Sequence, residues 1–430
     1  MVPTIHVVHI SRHNTCPVRR IFYPASERGR EIFMEFKLAT QLKNAHPTVI
    51  REIYTYAGEH PGFMDLSIGE PSADTFPLKE IAKASAEMYE HDGKKALAYG
   101  PYPGMPEIIE EIKKWLIQRG FDLTDQDIEI LPGSGHGMDN MANTFCDEGD
   151  VILCEMFAYP GIQNAARMVG AKLVGVPMDD DGINIEALEK AAQENDRVKF
   201  LYLCPSFNNP TGITIPEWKR EKIYEIAQKY DFMIYEDDPY SQLAFNHHPL
   251  KEIKKYDTEG RVVYAASLSK IVSAGMRIGF FLCHKDLRHK LEMSQGNAGV
   301  QSVPVMLTVA NYMRENDIQA HCREVADFYR DRADWMMECV RKYLPSYVRP
   351  NVPEGGLFLW LNVPESLDLD GIWHELMEKN VGVVPSFGFS ADPEHFPGSA
   401  FRMCYSTPPR DVIEKACIVI GDVLREHLPE

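Results

Sequence analysis

Residues 199–240, KFLYLCPSFNNPTGITIPEWKREKIYEIAQKYDFMIYEDDPY, decide the fold of this chain. Two short apolar runs, 199–203 and 232–236, stand on either side of one helical segment that runs from Pro216 to Tyr230. Apolar runs of this length are typical of buried strands, whereas the segment between them has the spacing of a helix. The stretch therefore predicts a strand–helix–strand unit, the building block of a parallel sheet.

The same alternation continues on both sides of this stretch. Further strand-sized apolar runs are found at residues 128–131, 151–154, 172–176, 262–267 and 278–282. A helix is also expected over residues 103–120, with Pro103 in its first turn and Gly120 at its end. We therefore expect an α/β fold with a mostly parallel seven-stranded sheet that carries helices on both faces.

The pattern changes near Asp317, where a long charged helix (321–343) precedes the strand-like segments GGLFLWLNV and AFRMCYS. This change predicts a second, smaller α+β domain assembled from both ends of the chain. The expected division is an N-terminal extension (1–33), an arm with part of the small domain (34–75), a large domain (76–316) and a C-terminal small domain (317–430).

Composition excludes several classes of protein. The formal net charge of −18 argues against a nucleic-acid surface, which needs clustered Lys and Arg. Nine dispersed cysteines without a CxxC pair favour reduced thiols in the cytoplasm, and the absence of HExxH predicts no metal site. No apolar run reaches the 18 or so residues of a membrane span.

The first 33 residues contain five arginines and have an unclear role. A transit peptide has this composition, and so does an extension upstream of a second start at Met34. We favour the extension because a helix-like pattern begins at Met34.

Polar residues collect after the predicted strands, where open parallel sheets bind their ligands. In LPGSGHGMD (131–139), Gly133, Ser134 and Gly135 would expose backbone N–H groups at the start of a helix. Such a turn can hold a phosphate, although an ordinary turn also explains it.

Other strand ends carry single candidates, each with a structural alternative. Tyr159 has the position to stack on a flat ring or only to pack, and Asn209 before Pro210 is explained by a turn alone. The remaining candidates are Asp237 and Tyr240 after residues 232–236, and Lys270 with Ser267, Ser269 and Arg277 after residues 262–267. A carboxylate, a phenol, an amide, a phosphate-type turn and a lysine together are what a pyridine aldehyde phosphate requires.

From about Met34 to its end the chain resembles the class I/II aminotransferases, the aspartate-aminotransferase-like enzymes of the pyridoxal 5′-phosphate (PLP) fold type I. NNPTG (208–212), YEDDPY (235–240), SLSKIVSAGMRIGF (267–280) and FRMCYS (401–406) occur in the order and spacing of that family. The resemblance implies a homodimer that transfers an amino group from an L-amino acid to a 2-oxo acid by a ping-pong mechanism.

The resemblance also implies a role for each matching residue. Lys270 matches the lysine that binds the cofactor as a Schiff base and shuttles the proton, and Asp237 matches the acid that pairs with the pyridine nitrogen. Tyr240 and Asn209 match the two groups on the ring oxygen O3′, and Tyr159 matches the residue stacked on the ring.

Two further sets of residues follow from the resemblance. The phosphate would be bound by Ser134, the backbone of Gly135 and His136, Ser267, Arg277 and, from the neighbouring subunit, Tyr99. The chain departs from the family at His136, near which the family often has Gln or Thr. The substrate α-carboxylate would be bound by Arg402, next to Gly69 and Asn209.

Substrate class and reaction type stay open from the sequence alone. The motifs look closest to the aromatic, 2-aminoadipate and kynurenine aminotransferase branch, in which an arginine on the N-terminal helix can bind a distal carboxylate. Arg51 lies near that position, and an exposed helix arginine is the alternative. The same motifs also suit a β-lyase or decarboxylase on this fold and, less well, the ligand-sensing domain of a regulator.

Overall fold

A computed structural model describes residues 37, 39–43, 47–295 and 301–427 of the chain. The helices are α1 (Thr40–Lys43), α2 (Val49–Glu59), α3 (Leu78–Ala96), α4 (Pro106–Gln118), α5 (Gly135–Phe145), α6 (Pro160–Val169), α7 (Ile185–Glu194), α8 (Glu217–Tyr230), α9 (Lys285–Ser294), α10 (Val303–Glu315), α11 (Ile318–Tyr343), α12 (Leu369–Glu378) and α13 (Arg410–His427). The N-terminal extension, 1–33, and Met34 lie outside the described residues.

The strands form one large and one smaller sheet together with two short pairs. They are β1 (Met64–Asp65), β2 (Gln126–Leu131), β3 (Val151–Glu155), β4 (Lys172–Val176), β5 (Met178–Asp179), β6 (Gly182–Ile183), β7 (Val198–Leu203), β8 (Met233–Asp238), β9 (Val262–Ser267), β10 (Gly279–His284), β11 (Arg349–Pro350), β12 (Phe358–Asn362), β13 (Val381–Gly382), β14 (Val384–Pro385) and β15 (Ala400–Cys404).

The large sheet has the order β2-β10-β9-β8-β7-β3-β4, and its seven strands are the seven that the sequence predicts. Strands β9, β8, β7, β3 and β4 are parallel, and β10 is antiparallel to both β2 and β9. Because β2 therefore runs in the same direction as β9, six carboxyl ends meet at one edge. The expectation of a mostly parallel seven-stranded sheet is confirmed.

Both faces of this sheet are buried, which explains why its strands are almost continuously apolar. In β7, Phe200 and Tyr202 join one apolar cluster, whereas Leu201 and Leu203 join another on the opposite face. Alternate side chains of a strand point to opposite faces, so a strand between two helix layers has no polar side.

The smaller sheet is antiparallel, with the order β11-β12-β15-β14. Helix α12 packs against β14, α13 packs against both α12 and α11, and β1 from the N-terminal segment pairs with β13. This pairing places a segment from the N-terminal part of the chain beside the C-terminal part.

The helix expected to start at Pro103 starts instead at Pro106. Met105 is the extended residue before the helix, and Gly104 has a φ of +107° that no helix permits. The stop at Gly120 agrees with the sequence, since α4 ends at Gln118 and Gly120 has a φ of +81°. A helical arm is expected over residues 34–56. The described part of this range contains α1 and the first eight residues of α2, 49–56.

Within the described ranges, no helix is long and apolar enough to cross a membrane.

Candidate active site

Asp237 lies at the end of β8 with one oxygen bound and the other free. The Tyr202 O–H donates to Asp237 Oδ2 at 3.1 Å, whereas Oδ1 is buried and has no hydrogen-bond partner among the described residues. Burial raises the pKa of Asp237 to about 6, although the hydrogen bond from Tyr202 and the charge of Lys270 act in the opposite direction. A buried carboxylate oxygen without a donor is costly, so this atom is suited to a ligand N–H.

Lys270 ends a short 3₁₀ helix (Leu268–Lys270) that follows β9 directly. Its Nζ donates to the carbonyl oxygen of Gly69 at 2.7 Å. Burial lowers the pKa of Lys270 to about 8, and the charges of Arg277 and Arg402 act in the same direction. A lysine with this pKa has a substantial neutral fraction near neutral pH and can act as nucleophile or base.

The turn between β2 and α5 lies against the guanidinium of Arg277. Arg277 Nη2 donates to the carbonyl of Pro132 at 2.9 Å, and Nη1 lies 3.4 Å from Ser269 Oγ. Gly133 has a φ of +92°, and a Cβ at that position would stand 2.5 Å from Arg277 Nη2. The glycine therefore makes room for the cation at the helix N-terminus, where an anion is favoured.

Ser134 belongs to this turn, and Ser267 is the last residue of β9. Ser134 precedes α5, and its carbonyl accepts a hydrogen bond from the Tyr235 hydroxyl at 2.7 Å. Ser267 Oγ accepts from the backbone N–H of Ser269 at 3.1 Å. Gly135, at the start of α5, is exposed, whereas the His136 N–H donates to the Gly133 carbonyl at 3.2 Å.

Arg402, on β15, is a buried cation whose partners are neutral. Nη1 donates to Asn209 Oδ1 at 2.7 Å, and Nη2 donates to the carbonyl of Ser67. The rings of Phe358 and Phe389 lie 4.5 and 4.7 Å from the guanidinium carbon. Burial lowers the pKa of Arg402 to about 10, and Nε has no partner among the described residues. A buried guanidinium without a carboxylate is suited to an anionic ligand.

Three predicted residues complete the wall of the site. Tyr240 is buried just beyond β8, with its ring edge-on to Phe358 at 5.7 Å. Tyr159 precedes α6 and is 40% exposed. Gly69 has no room for a side chain, since a Cβ would stand 2.7 Å from Phe358 Cζ.

Two predicted residues are not brought to this cluster in the single chain. Tyr99 lies in the loop after α3 and is fully exposed. Arg51 is an exposed residue in the first turn of α2, where its backbone N–H donates to Thr48 Oγ1 at 3.3 Å. Their roles stay predictions.

The structure adds residues that the sequence does not single out. Tyr202 binds Asp237, and Phe358 and Phe389 enclose Arg402. Tyr202 and Phe358 lie inside apolar runs, where aromatic residues ordinarily only pack. The alternation of β7 puts Tyr202 on the same face as Phe200, but no local signal gives its partner on the neighbouring strand.

Comparison with known proteins gives one consistent family. The sequence model of the family "Aminotransferase class I and II" matches residues 61–420 of the chain. Aromatic-amino-acid aminotransferase 1 of Thermococcus litoralis is 29% identical over 386 residues, which cover 88% of this chain and 92% of that protein. The mitochondrial kynurenine/alpha-aminoadipate aminotransferase of Mus musculus is 30% identical, with 92% of this chain and all of that protein covered.

Solved structures agree with the sequence relatives. The kynurenine aminotransferase of Pyrococcus horikoshii, solved in complex with PMP and with KYN and KYA, superposes with a TM-score of 0.87. It is 29% identical, and the match covers 92% of this chain and 98% of that one.

Proposed function

This chain belongs to the class I and II aminotransferases, and on that premise we propose that it uses pyridoxal 5′-phosphate to move an amino group from an L-amino acid to a 2-oxo acid by a ping-pong mechanism. One observation carries the proposal. A buried carboxylate oxygen that lacks a partner among the described residues, Asp237 Oδ1, and a lysine with a pKa of about 8 lie at the same edge of the sheet.

The residues present fit this cofactor. Asp237 Oδ1 would accept the N–H of a protonated pyridine, which removes the cost of its missing donor. Tyr240 and Asn209 would bind the ring oxygen, and Tyr159 would cover the ring. The phosphate would be held by Ser134, Gly135, His136, Ser267 and Arg277. When bound, pyridoxal phosphate supplies a ring that accepts electron density from the substrate Cα.

Lys270 would bind the cofactor covalently and then move a proton. Burial draws the pKa of its free Nζ toward neutrality. As a free amine, Lys270 would be able to accept the proton of the substrate Cα and to donate it again. The Gly69 carbonyl, 2.7 Å from Nζ, gives the free amine a fixed position.

Arg402 would bind the α-carboxylate of the substrate. Its planar guanidinium is a fork of N–H groups, the geometry that a carboxylate accepts. The rings of Phe358 and Phe389 keep water from this cation. Asn209 Oδ1 and the carbonyl of Ser67 hold the guanidinium in place before the carboxylate arrives.

The substrate class we propose is an aromatic L-amino acid, 2-aminoadipate or a similar amino acid, with 2-oxoglutarate as an acceptor. The names of the relatives from Thermococcus litoralis and Mus musculus support this choice. Arg51 would bind a distal carboxylate of a dicarboxylic substrate, and its exposure on α2 is equally typical of a surface arginine.

We further propose a cytoplasmic homodimer in which the partner subunit's Tyr99 reaches the phosphate. The complete exposure of Tyr99 in the single chain supports this role, because a fully exposed loop tyrosine is available to a neighbouring subunit. The division into segments 1–33, 34–75, 76–316 and 317–430 belongs to the same proposal.

A panel of amino donors tested against 2-oxoglutarate decides the substrate class. We expect aromatic amino acids and 2-aminoadipate to be the best donors. Arg402→Ala should lower kcat/KM for every donor by a factor that corresponds to about 2–4 kcal/mol, the loss typical of a buried charge pair, and an unchanged kcat/KM would reject its role.

Arg51→Gln separates the two interpretations of Arg51. We expect it to lower kcat/KM for 2-aminoadipate and to leave kcat/KM for phenylalanine unchanged. Lys79→Gln, a change at an exposed cation on α3, is the matched control. Equal behaviour of the two variants with 2-aminoadipate would identify Arg51 as a surface residue.

A further inference from the structure

Two buried tyrosines lie side by side beneath the site. Tyr202 on β7 and Tyr235 on β8 are paired in register, and their rings lie 6.1 Å apart at an angle of 20°. Both belong to the apolar cluster on one face of the sheet and are at most 1% exposed.

The hydroxyl groups of this pair bind different parts of the site. The Tyr202 O–H donates to Asp237 Oδ2 at 3.1 Å. The Tyr235 O–H donates to the Ser134 carbonyl at 2.7 Å, in the turn before α5. One phenol therefore contacts the acid, and the other contacts the turn proposed to hold the phosphate.

Packing alone does not require a hydroxyl at position 202. Phe200 lies two residues earlier on the same face of β7 and is completely buried without one. Burying a phenol is unfavourable unless its O–H finds a partner, and here the partner is a carboxylate, which makes the stronger kind of hydrogen bond.

Resting on the proposed function, we propose that Tyr202 is a positioning residue for the cofactor's ring nitrogen. By holding Oδ2, it turns Oδ1 of Asp237 toward the site and stabilises the ionised carboxylate that a protonated ring nitrogen needs. Tyr235 is equally buried, but its hydroxyl binds Ser134 instead of the acid.

The test compares the binding of two ligands to apo-protein: pyridoxal 5′-phosphate and its 1-deaza analogue, which has C–H in place of the ring nitrogen. The wild type should bind the natural cofactor more tightly. Tyr202→Phe should reduce this preference about tenfold or more, the effect of one hydrogen bond to a charged group. Tyr235→Phe is the matched control. It should weaken the binding of both ligands equally and keep the preference for the natural cofactor.

The outcomes separate this inference from the proposed function. An unchanged preference in Tyr202→Phe, or an equal loss of preference in both variants, would overturn the role of Tyr202 alone. A wild type that does not distinguish the two ligands would instead overturn the pairing of Asp237 with the ring nitrogen. Circular dichroism and thermal melting verify that both variants fold.

Discussion

At the scale of single residues, the adjacent acids Asp237 and Asp238 differ in how fully their carboxylate oxygens are hydrogen-bonded. Asp238 accepts from the hydroxyls of Ser241 and Tyr264 at 2.6 and 2.7 Å, and Arg119 lies 3.4 Å away. Asp237 instead has a buried oxygen that no described residue contacts through a hydrogen bond. Because neighbours on a strand face opposite sides, one acid fixes the turn after β8 while the other faces the site.

This difference predicts opposite effects on stability for two matched variants. The folded-state pKa of Asp237, about 6, exceeds its ordinary value of 3.8, so ionisation destabilises the apo-fold as pH rises from about 4 to about 6. Asp237→Asn should therefore stabilise the apo-protein above pH 6 by at most ~3 kcal/mol, with a smaller gain at pH 5. Urea unfolding of the apo-protein at pH 5 and pH 8 measures this gain.

Asp238→Asn is the matched control on the same strand. It loses an acceptor for buried donors and should destabilise the protein by about 1–3 kcal/mol at both pH values. Destabilisation by Asp237→Asn at pH 8 would contradict the account of its unpaired oxygen.

The sequence predicts the residues that lie at strand ends, because a polar residue after an apolar run stands out. Asp237 and Lys270 are found in this way, and their juxtaposition follows from parallel strands meeting at one edge. Tyr202 is not found, since its partner lies on another strand 35 residues away.

At the scale of elements, the turn between β2 and α5 contains a glycine, Gly133, whose missing side chain leaves room for Arg277. Gly133→Ala would place a Cβ 2.5 Å from Arg277 Nη2 in a backbone conformation that costs alanine about 1–2 kcal/mol. We expect it to displace Arg277, and the loss of a charge-assisted contact should weaken pyridoxal phosphate binding about tenfold or more in an equilibrium titration.

Gly62→Ala has the same backbone cost without the clash. Gly62 has a φ of +86°, and a Cβ there would meet nothing within 4 Å. This variant should lose stability but keep its cofactor affinity. Equal affinity losses in the two variants would show that Gly133 matters only through backbone strain.

The strands are more predictable from the sequence than their arrangement. Burial on both faces makes each long strand an apolar run, which the sequence displays directly. The order of the strands and the antiparallel direction of β10 depend on contacts between distant segments. The two-residue strands β5, β6 and β11 are too short to give a pattern. The start of α4 is predicted wrongly because Pro103 lies in a separate turn that precedes the helix.

At the scale of the whole molecule, the site draws on both ends of the chain. Arg402 from β15 reaches Asn209 after β7, and Lys270 after β9 reaches Gly69 after β1. The sequence predicts these residues through a family resemblance, because no periodicity places positions 69 and 402 beside position 270.

The proposed homodimer predicts complementation between two defective chains. Tyr99→Phe should weaken cofactor binding, and Lys270→Ala should prevent covalent attachment. A mixed dimer has one site with an intact Lys270 and the partner subunit's intact Tyr99, so mixing should restore a tight, covalent site.

Tyr89→Phe, at another exposed tyrosine, is the control for this experiment. Alone, it should bind the cofactor as the wild type does, and mixing it with Lys270→Ala should give no increase in affinity. Failure of the Tyr99 pair to regain a tight site would contradict a shared active site.

A single-turnover reaction with a ¹⁵N-labelled amino acid tests whether this enzyme transfers the amino group intact. Holoenzyme that receives this donor without an added 2-oxo acid should release one equivalent of the donor's own 2-oxo acid for each Lys270 and should retain the label. When 2-oxoglutarate is then added, the label should leave the enzyme as labelled glutamate. Release of labelled ammonia or of carbon dioxide, with turnover continuing in the absence of an acceptor, would contradict amino transfer and favour a lyase or decarboxylase.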